Sequence, residues 1–185
     1  YKTFDFSATF TTQSASDYET SDGFQYHNTG FDEKNNVSIN LGFEFLKGHR
    51  LGFIYHYFEV DEVGTPGYLS QNDLDDYANK EQRSYDILYE GKTSKGDISW
   101  KLRYYFGDEK NEYFDPIASN PDGWDDGIPW KAESDNRGAQ AQISVNFPMI
   151  SLTGGFDWEN FTFEQDPWDP KESEYNNPAY FLFAK

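Results

Sequence analysis

The chain has no cysteine among its 185 residues and only one methionine. A disulfide scaffold and any site built on a cysteine ligand or nucleophile are therefore excluded. The chain also lacks a run of about 20 consecutive apolar residues, which a membrane-spanning helix requires. Basic residues are few, since 15 Lys and Arg face 33 Asp and Glu and give a formal net charge of −18. This charge argues against nucleic acid as a partner.

Aromatic residues, in contrast, are abundant, and 17 Phe, 14 Tyr and 5 Trp make up 19% of the chain. Many of them lie in stretches where apolar and polar residues alternate. The clearest stretch covers residues 97–107, where the apolar positions are Ile98, Trp100, Leu102, Tyr104 and Phe106. Successive residues of a β-strand point to opposite faces of the sheet, so this stretch is predicted to have one apolar and one polar face.

Eight strands are expected from this alternation and from the turn residues between the stretches. Their approximate positions are residues 2–12, 35–46, 50–59, 83–91, 97–107, 137–147, 150–158 and 178–184. Short turns alternate with long connectors, which cover residues 13–34, 60–82, 108–136 and 159–177. The sequence therefore predicts an all-β, antiparallel up-and-down meander with short turns at one end and long loops at the other.

Such lopsided connectors are typical of a transmembrane β-barrel, whose turns are short on the periplasmic side and whose loops are long outside. The apolar faces would then contact outer-membrane lipid, and the aromatic residues would serve the girdles at the two membrane interfaces. We therefore expect part of a transmembrane β-barrel in the bacterial outer membrane.

Two other architectures fit the same pattern. One is an autonomous eight-stranded barrel with an adhesive or structural role, whose inward side chains fill its interior. The other is a soluble acidic β-sandwich, for example a carbohydrate-binding module. In a sandwich the apolar faces would pack against each other in a dry interior rather than face lipid.

Three segments resemble a known family of outer-membrane proteins. Residues 22–35 (DGFQYHNTGFDEKN) lead directly into the strand at 37–45, the next loop begins with DEVGTPG at 61–67, and NPAYFL follows at 177–182. In this order they are similar to the barrel of TonB-dependent outer-membrane receptors, in the branch of the vitamin B12 and siderophore transporters.

The resemblance implies a barrel of about 22 strands filled by a plug. The plug carries the box that TonB contacts, and residues 1–185 contain no candidate for it. The chain would be a partial barrel domain, roughly the third to tenth strands, in a receptor that takes up a metal chelate such as a siderophore or cobalamin. Because residue 1 and residues 181–184 lie inside strand patterns, we expect a section of a longer protein.

Candidate site residues lie in the long connectors. Exposed aromatic rings can stack on a ligand, which singles out Tyr68, Trp124, Trp130 and Trp168; loop packing or anchoring at the membrane interface is the alternative for the tryptophans. Calcium prefers several oxygen ligands, so the candidates for a bound Ca²⁺ are Asp122, Asp125 and Asp126, with a solvated acidic turn as the alternative. No nucleophile lies at a fixed spacing from a base, so we expect no enzymatic activity and no other cofactor.

Overall fold

The computed structural model describes residues 3–26, 28–64, 76–116, 128–167 and 169–185. The regular secondary structure of these residues consists of β-strands alone. The described part contains no helix long and apolar enough to cross a membrane. The prediction of an all-β chain is thus confirmed.

Ten strands form two sheets. Their bounds are β1 Phe4–Ala15, β2 Tyr18–Glu19, β3 Gln25–Tyr26, β4 Phe31–Leu46, β5 His49–Gly64, β6 Tyr77–Lys92, β7 Ile98–Phe114, β8 Trp130–Asn146, β9 Ser151–Asp166 and β10 Asp169–Ala184. The eight long strands make one antiparallel sheet in the order β1-β4-β5-β6-β7-β8-β9-β10, and β2 pairs with β3 in a small hairpin. The predicted up-and-down meander is confirmed. Both β1 and β10 are edge strands, so the sheet is not closed.

The strands are longer than the alternation of apolar residues predicts. For example, β7 runs to Phe114 and β8 begins at Trp130, whereas the predicted strands end at 107 and begin at 137. Most of the additional residues, such as 108–112 and 133–136, are polar on both faces and therefore carry no period-2 signal, although their backbones pair without interruption from Gly107↔Asn136 to Tyr113↔Trp130. The long strands have 12 to 17 residues, well beyond the usual 3–10.

The prediction of a fourth long connector at residues 159–177 is wrong. Strand β9 continues to Asp166 and β10 begins at Asp169, so a short turn joins them. In addition, the first connector contains the β2–β3 hairpin, in which Tyr18 pairs with Tyr26. Polar pairs such as Asn160↔Asn176 continue the ladder between β9 and β10 where hydrophobic alternation has stopped.

Two of the short turns at the other end depend on glycine. Gly48 and Gly96 have φ angles of +79° and +74°, in the left-handed region that other residues avoid. In the second of these turns, the Thr93 hydroxyl donates a hydrogen bond to the Asp97 carboxylate. This hydrogen bond holds the pKa of Asp97 below its ordinary value.

The cross-strand register sorts the side chains onto two faces. Paired residues share a face, so the pairs Phe6↔Leu41 and Ile87↔Tyr104 place their side chains on the same side of the sheet. This side carries a continuous apolar region, which we call the belt: Phe4, Phe6, Phe10, Ile39, Leu41, Phe43, Leu51, Phe53, Tyr55, Tyr85, Ile87, Tyr89, Ile98, Trp100, Leu102, Tyr104, Phe106, Ala139, Ala141, Ile143, Phe156, Trp158, Pro178, Tyr180 and Leu182. The opposite side, which we call the polar face, includes Ser7, Asn40, Ser84, Asp86, Arg103, Gln140 and Asp157.

Candidate functional site: the belt and the polar face

The belt is exposed. Phe6 is 62% exposed, Ile87 48% and Ile143 50%, although all three are large apolar residues in the middle of strands. The buried hydrophobic residues in the described part are Val60, Ala78 and Ala132, none of which belongs to the belt. The described strands thus form a single layer, and the belt has no second layer of protein packed on it.

The height of the belt matches a membrane. On β7 it extends from Ile98 to Phe106, which at about 3.4 Å per residue is roughly 27 Å. A transmembrane strand has about 9–11 residues, and the apolar band of an outer-membrane barrel is about 25 Å tall. The remainder of β7, up to Phe114, continues for a similar distance beyond the belt.

Aromatic and polar-tipped rings gather at the short-turn end of the belt. His49 lies 5.6 Å from the Trp100 ring, and Phe45 stacks on Tyr89 at 6.2 Å between centroids. The Tyr89 hydroxyl and His49 Nδ1 are hydrogen-bonded at 2.9 Å. Rings that combine an apolar body with a polar tip favour the interface between hydrocarbon and water.

A second group of rings lies at the opposite border of the belt. Tyr55 and Tyr85 are 5.0 Å apart, and Tyr85 is 6.3 Å from Phe106. Farther along the sheet, Trp158 Nε1 donates a hydrogen bond of 2.9 Å to Asn176 Oδ1. The belt is therefore bordered on both sides by aromatic rings that hold polar contacts, with aliphatic residues between them.

The border of the belt runs obliquely across the strands. Phe10 is the last apolar belt position on β1, and the register places it in one row with Thr162 of β9 and Glu174 of β10. On β9 and β10 the last apolar belt positions are Trp158 and Pro178, which lie four residues closer to the short turns than this row. With a rise of about 3.3 Å per residue and about 4.8 Å between strands, this slope is about 20°. The strands are thus tilted relative to the belt, by less than the 35–45° of closed outer-membrane barrels.

The polar face carries a chain of hydrogen bonds across four strands. Arg103 Nε of β7 donates to Asp86 of β6, and Arg103 Nη1 donates to Gln140 Oε1 of β8 at 3.4 Å. Gln140 Nε2 in turn donates to Asp157 Oδ2 of β9 at 3.3 Å. We call Asp86, Arg103, Gln140 and Asp157 the polar ladder. Alternation alone predicts that Lys101, Arg103, Asp157 and Glu159 share one face, and the register confirms this.

Two further ion pairs lie on the same face toward the short turns. Arg50 Nη2 reaches both carboxylate oxygens of Asp5, at 2.6 and 2.9 Å, by crossing Gly42 of the intervening strand. Lys101 Nζ lies 3.7 Å from Glu90 Oε1, and both side chains are about half exposed. Charged side chains are thus paired along the polar face at the level of the belt, as expected of a wall that faces water.

Most of the loop residues singled out from the sequence lie outside the described residues: Tyr68, Asp122, Trp124, Asp125, Asp126 and Trp168. The interpretation of Trp130 as a loop residue is wrong, because it opens β8 and pairs with Tyr113 of β7. Sequence reasoning missed Asp86 and Gln140 as partners of Arg103. Both occupy polar positions of alternating strands, but only the register brings them to that guanidinium.

No family model matches the chain, and no curated protein matches its sequence. Among the described residues, no group of three or more His, Asp or Glu side chains is placed to hold a metal ion.

The polar ladder leads to a prediction about coupling energies. A double-mutant cycle with Arg103→Met and Asp86→Asn is expected to give about 1 kcal/mol, because a charge-assisted hydrogen bond is worth about 1.5–3 kcal/mol and partial exposure of Arg103 reduces it. The matched cycle with Lys101→Met and Glu90→Gln is expected near zero, because that pair is longer and more exposed. Urea unfolding in detergent micelles measures both. Equal coupling in the two cycles would contradict the ladder.

Proposed function

We propose that the chain forms part of the wall of a bacterial outer-membrane β-barrel. The observation that carries this proposal is the exposed belt, about 27 Å tall, bordered by aromatic rings and backed by a paired, charged opposite face. Soluble monomers rarely expose a contiguous apolar patch larger than a few hundred Å². Hydrocarbon removes this surface from water, while the polar face meets the aqueous interior of the barrel.

The alternatives fit the described strands less well. A β-sandwich buries its apolar faces between two layers, whereas the belt here is the exposed side of a single sheet. An autonomous eight-stranded barrel requires β1 to pair with β10, and both are edges of the sheet. The open space at Gly107 on the polar face also favours a wider barrel over one whose side chains fill the interior.

We further propose that the complete barrel is a TonB-dependent receptor for a metal chelate, such as a siderophore or cobalamin. The support is the resemblance carried by residues 22–35, 61–67 and 177–182. Strands that extend well beyond the belt would raise the long loops above the membrane, where they would capture the ligand. TonB would act through a plug outside residues 1–185.

The direction of the two faces is tested by cysteine labelling, for which the absence of native cysteine is ideal. Ala141→Cys places a thiol on the belt, and Gln142→Cys places one at the same depth on the polar face. In outer membranes of cells that make each variant, we expect a charged maleimide to label residue 142 at least ten times faster.

Because the two positions are adjacent, differences in depth and expression cancel. Equal rates, or faster labelling at residue 141, would show that the belt does not face lipid. Labelling after unfolding in urea provides the control, since both thiols should then react.

The receptor function is tested by uptake in cells that carry or lack the gene. We expect deletion to lower the uptake of at least one of two labelled probes, a ferric catecholate siderophore and cyanocobalamin, by tenfold or more. A protonophore should have the same effect in the parent cells, because TonB transmits the energy of the proton gradient. Unchanged uptake of both probes after deletion would exclude this function and leave the barrel assignment untouched.

A further inference from the structure

A trough of about 380 Å³ lies on the polar face, on the long-loop side of the belt's midline. Its floor follows one row of the register, from Ser84 through Gly107 and Asn136 to Phe161. The row crosses three strand spacings, or about 14 Å. Tyr105, in the next row, forms one wall. The volume is within the range of about 300–1,000 Å³ that is typical of small-molecule sites.

The wall of the trough is held in place. The Arg103 guanidinium lies 4.8 Å from the centre of the Tyr105 ring, a cation–π contact. Gly138 makes room for the ring, because a Cβ at that position would overlap it. Tyr105 is therefore fixed between a cation and a glycine before any ligand arrives, and Phe161, 38% exposed, stands at the end of the row.

The floor at Gly107 is open. A Cβ built there would have its nearest contact at 3.4 Å, with the Arg83 carbonyl oxygen, and the next at 3.7 Å, with Ser84 Cβ. Both are ordinary van der Waals distances. The missing side chain thus leaves free space rather than relieving a clash, and a Cβ fits there without a movement of the backbone.

The lining combines aromatic rings and uncharged polar groups with four charged side chains, Asp86, Arg103, Asp108 and Glu109. Gln82, Ser84, Ser134 and Asn136 can each donate and accept hydrogen bonds. The side-chain oxygen of Asn136 is buried and has no hydrogen-bond partner among the described residues. The end torsion of an Asn side chain is broad, so its amide can turn this acceptor toward a hydroxyl group in the trough.

The charges near the trough are compensated or negative. Arg103 is committed to Asp86 and Gln140, and Glu109 accepts a hydrogen bond of 2.8 Å from Asn111. No described cation at the trough is left to attract an anion. A purely apolar ligand would desolvate the amides and hydroxyls without replacing their hydrogen bonds.

We propose that this trough binds a neutral saccharide, with the apolar side of a sugar ring on Tyr105 or Phe161 and its hydroxyl groups on Gln82, Ser84, Ser134 and Asn136. The inference goes beyond the proposed function, because it assigns a ligand class to the inner wall rather than to the loops. It requires only that water reach the polar face.

Saturation-transfer NMR tests the proposal with the full chain in detergent micelles and with maltotriose and cellotriose as probes. We expect transfer to at least one trisaccharide. Gly107→Leu, which fills the floor, and Phe161→Ala, which removes a ring, should each weaken binding at least tenfold. Ser38→Leu puts the same leucine on the polar face three strands away, and binding should stay within twofold.

Three results would overturn the saccharide proposal: no transfer to either trisaccharide, binding that Gly107→Leu leaves unchanged, or equal binding of an uncharged triglycine peptide whose amino end is acetylated and whose carboxyl end is amidated. Amide spectra of all variants confirm that the fold is kept. Cysteine labelling at residues 141 and 142 is independent of these results, so a failed saccharide site and a failed membrane assignment are distinguishable.

Discussion

Backbone pairing between adjacent strands is the constraint on which the rest of the structure depends. The ladder from β1 to β10 is antiparallel throughout, with bulges only near some strand ends. Since side chains alternate with a period of two, a slip of one residue in any strand would move its apolar set to the other face. The belt, its aromatic borders and the polar ladder all exist because Phe6, Leu41, Phe53, Ile87 and Tyr104 stay in one row.

This register makes one face of the sheet apolar and the other face charged, so the two faces require different surroundings. An exposed face of Phe, Ile, Leu and Tyr is unfavourable in water, yet the described chain buries very few hydrophobic residues. On the polar face, charged side chains pair with one another: Arg50 forms a salt bridge with Asp5, and Arg103 forms one with Asp86. A boundary between hydrocarbon and water would satisfy both faces together, and we propose that rings such as Trp100 and Trp158 lie at that boundary.

The sequence predicts a strand only where apolar and polar residues alternate along the chain. Residues 97–107 alternate cleanly, and the strand there is where the pattern places it. Residues 108–112 and 133–136 are polar on both faces, so hydropathy does not show that β7 continues to Phe114 or that β8 begins at Trp130. Backbone pairing shows both. The trough has the same origin: Ser84, Gly107, Asn136 and Phe161 are far apart in the chain and share a row only once the register is known.

The most direct test of the account uses isoleucine methyl groups as reporters in a single NMR sample of the unmodified chain in detergent micelles. Ile87 belongs to the belt, while Ile54 of the neighbouring strand lies one residue from its partner Phe53 and on the opposite face. We expect nuclear Overhauser contacts from detergent acyl chains to Ile87 and Ile143, and from water rather than acyl chains to Ile54. Acyl-chain contacts to Ile54, or contacts from a second layer of protein to Ile87, would contradict the assignment of the two faces.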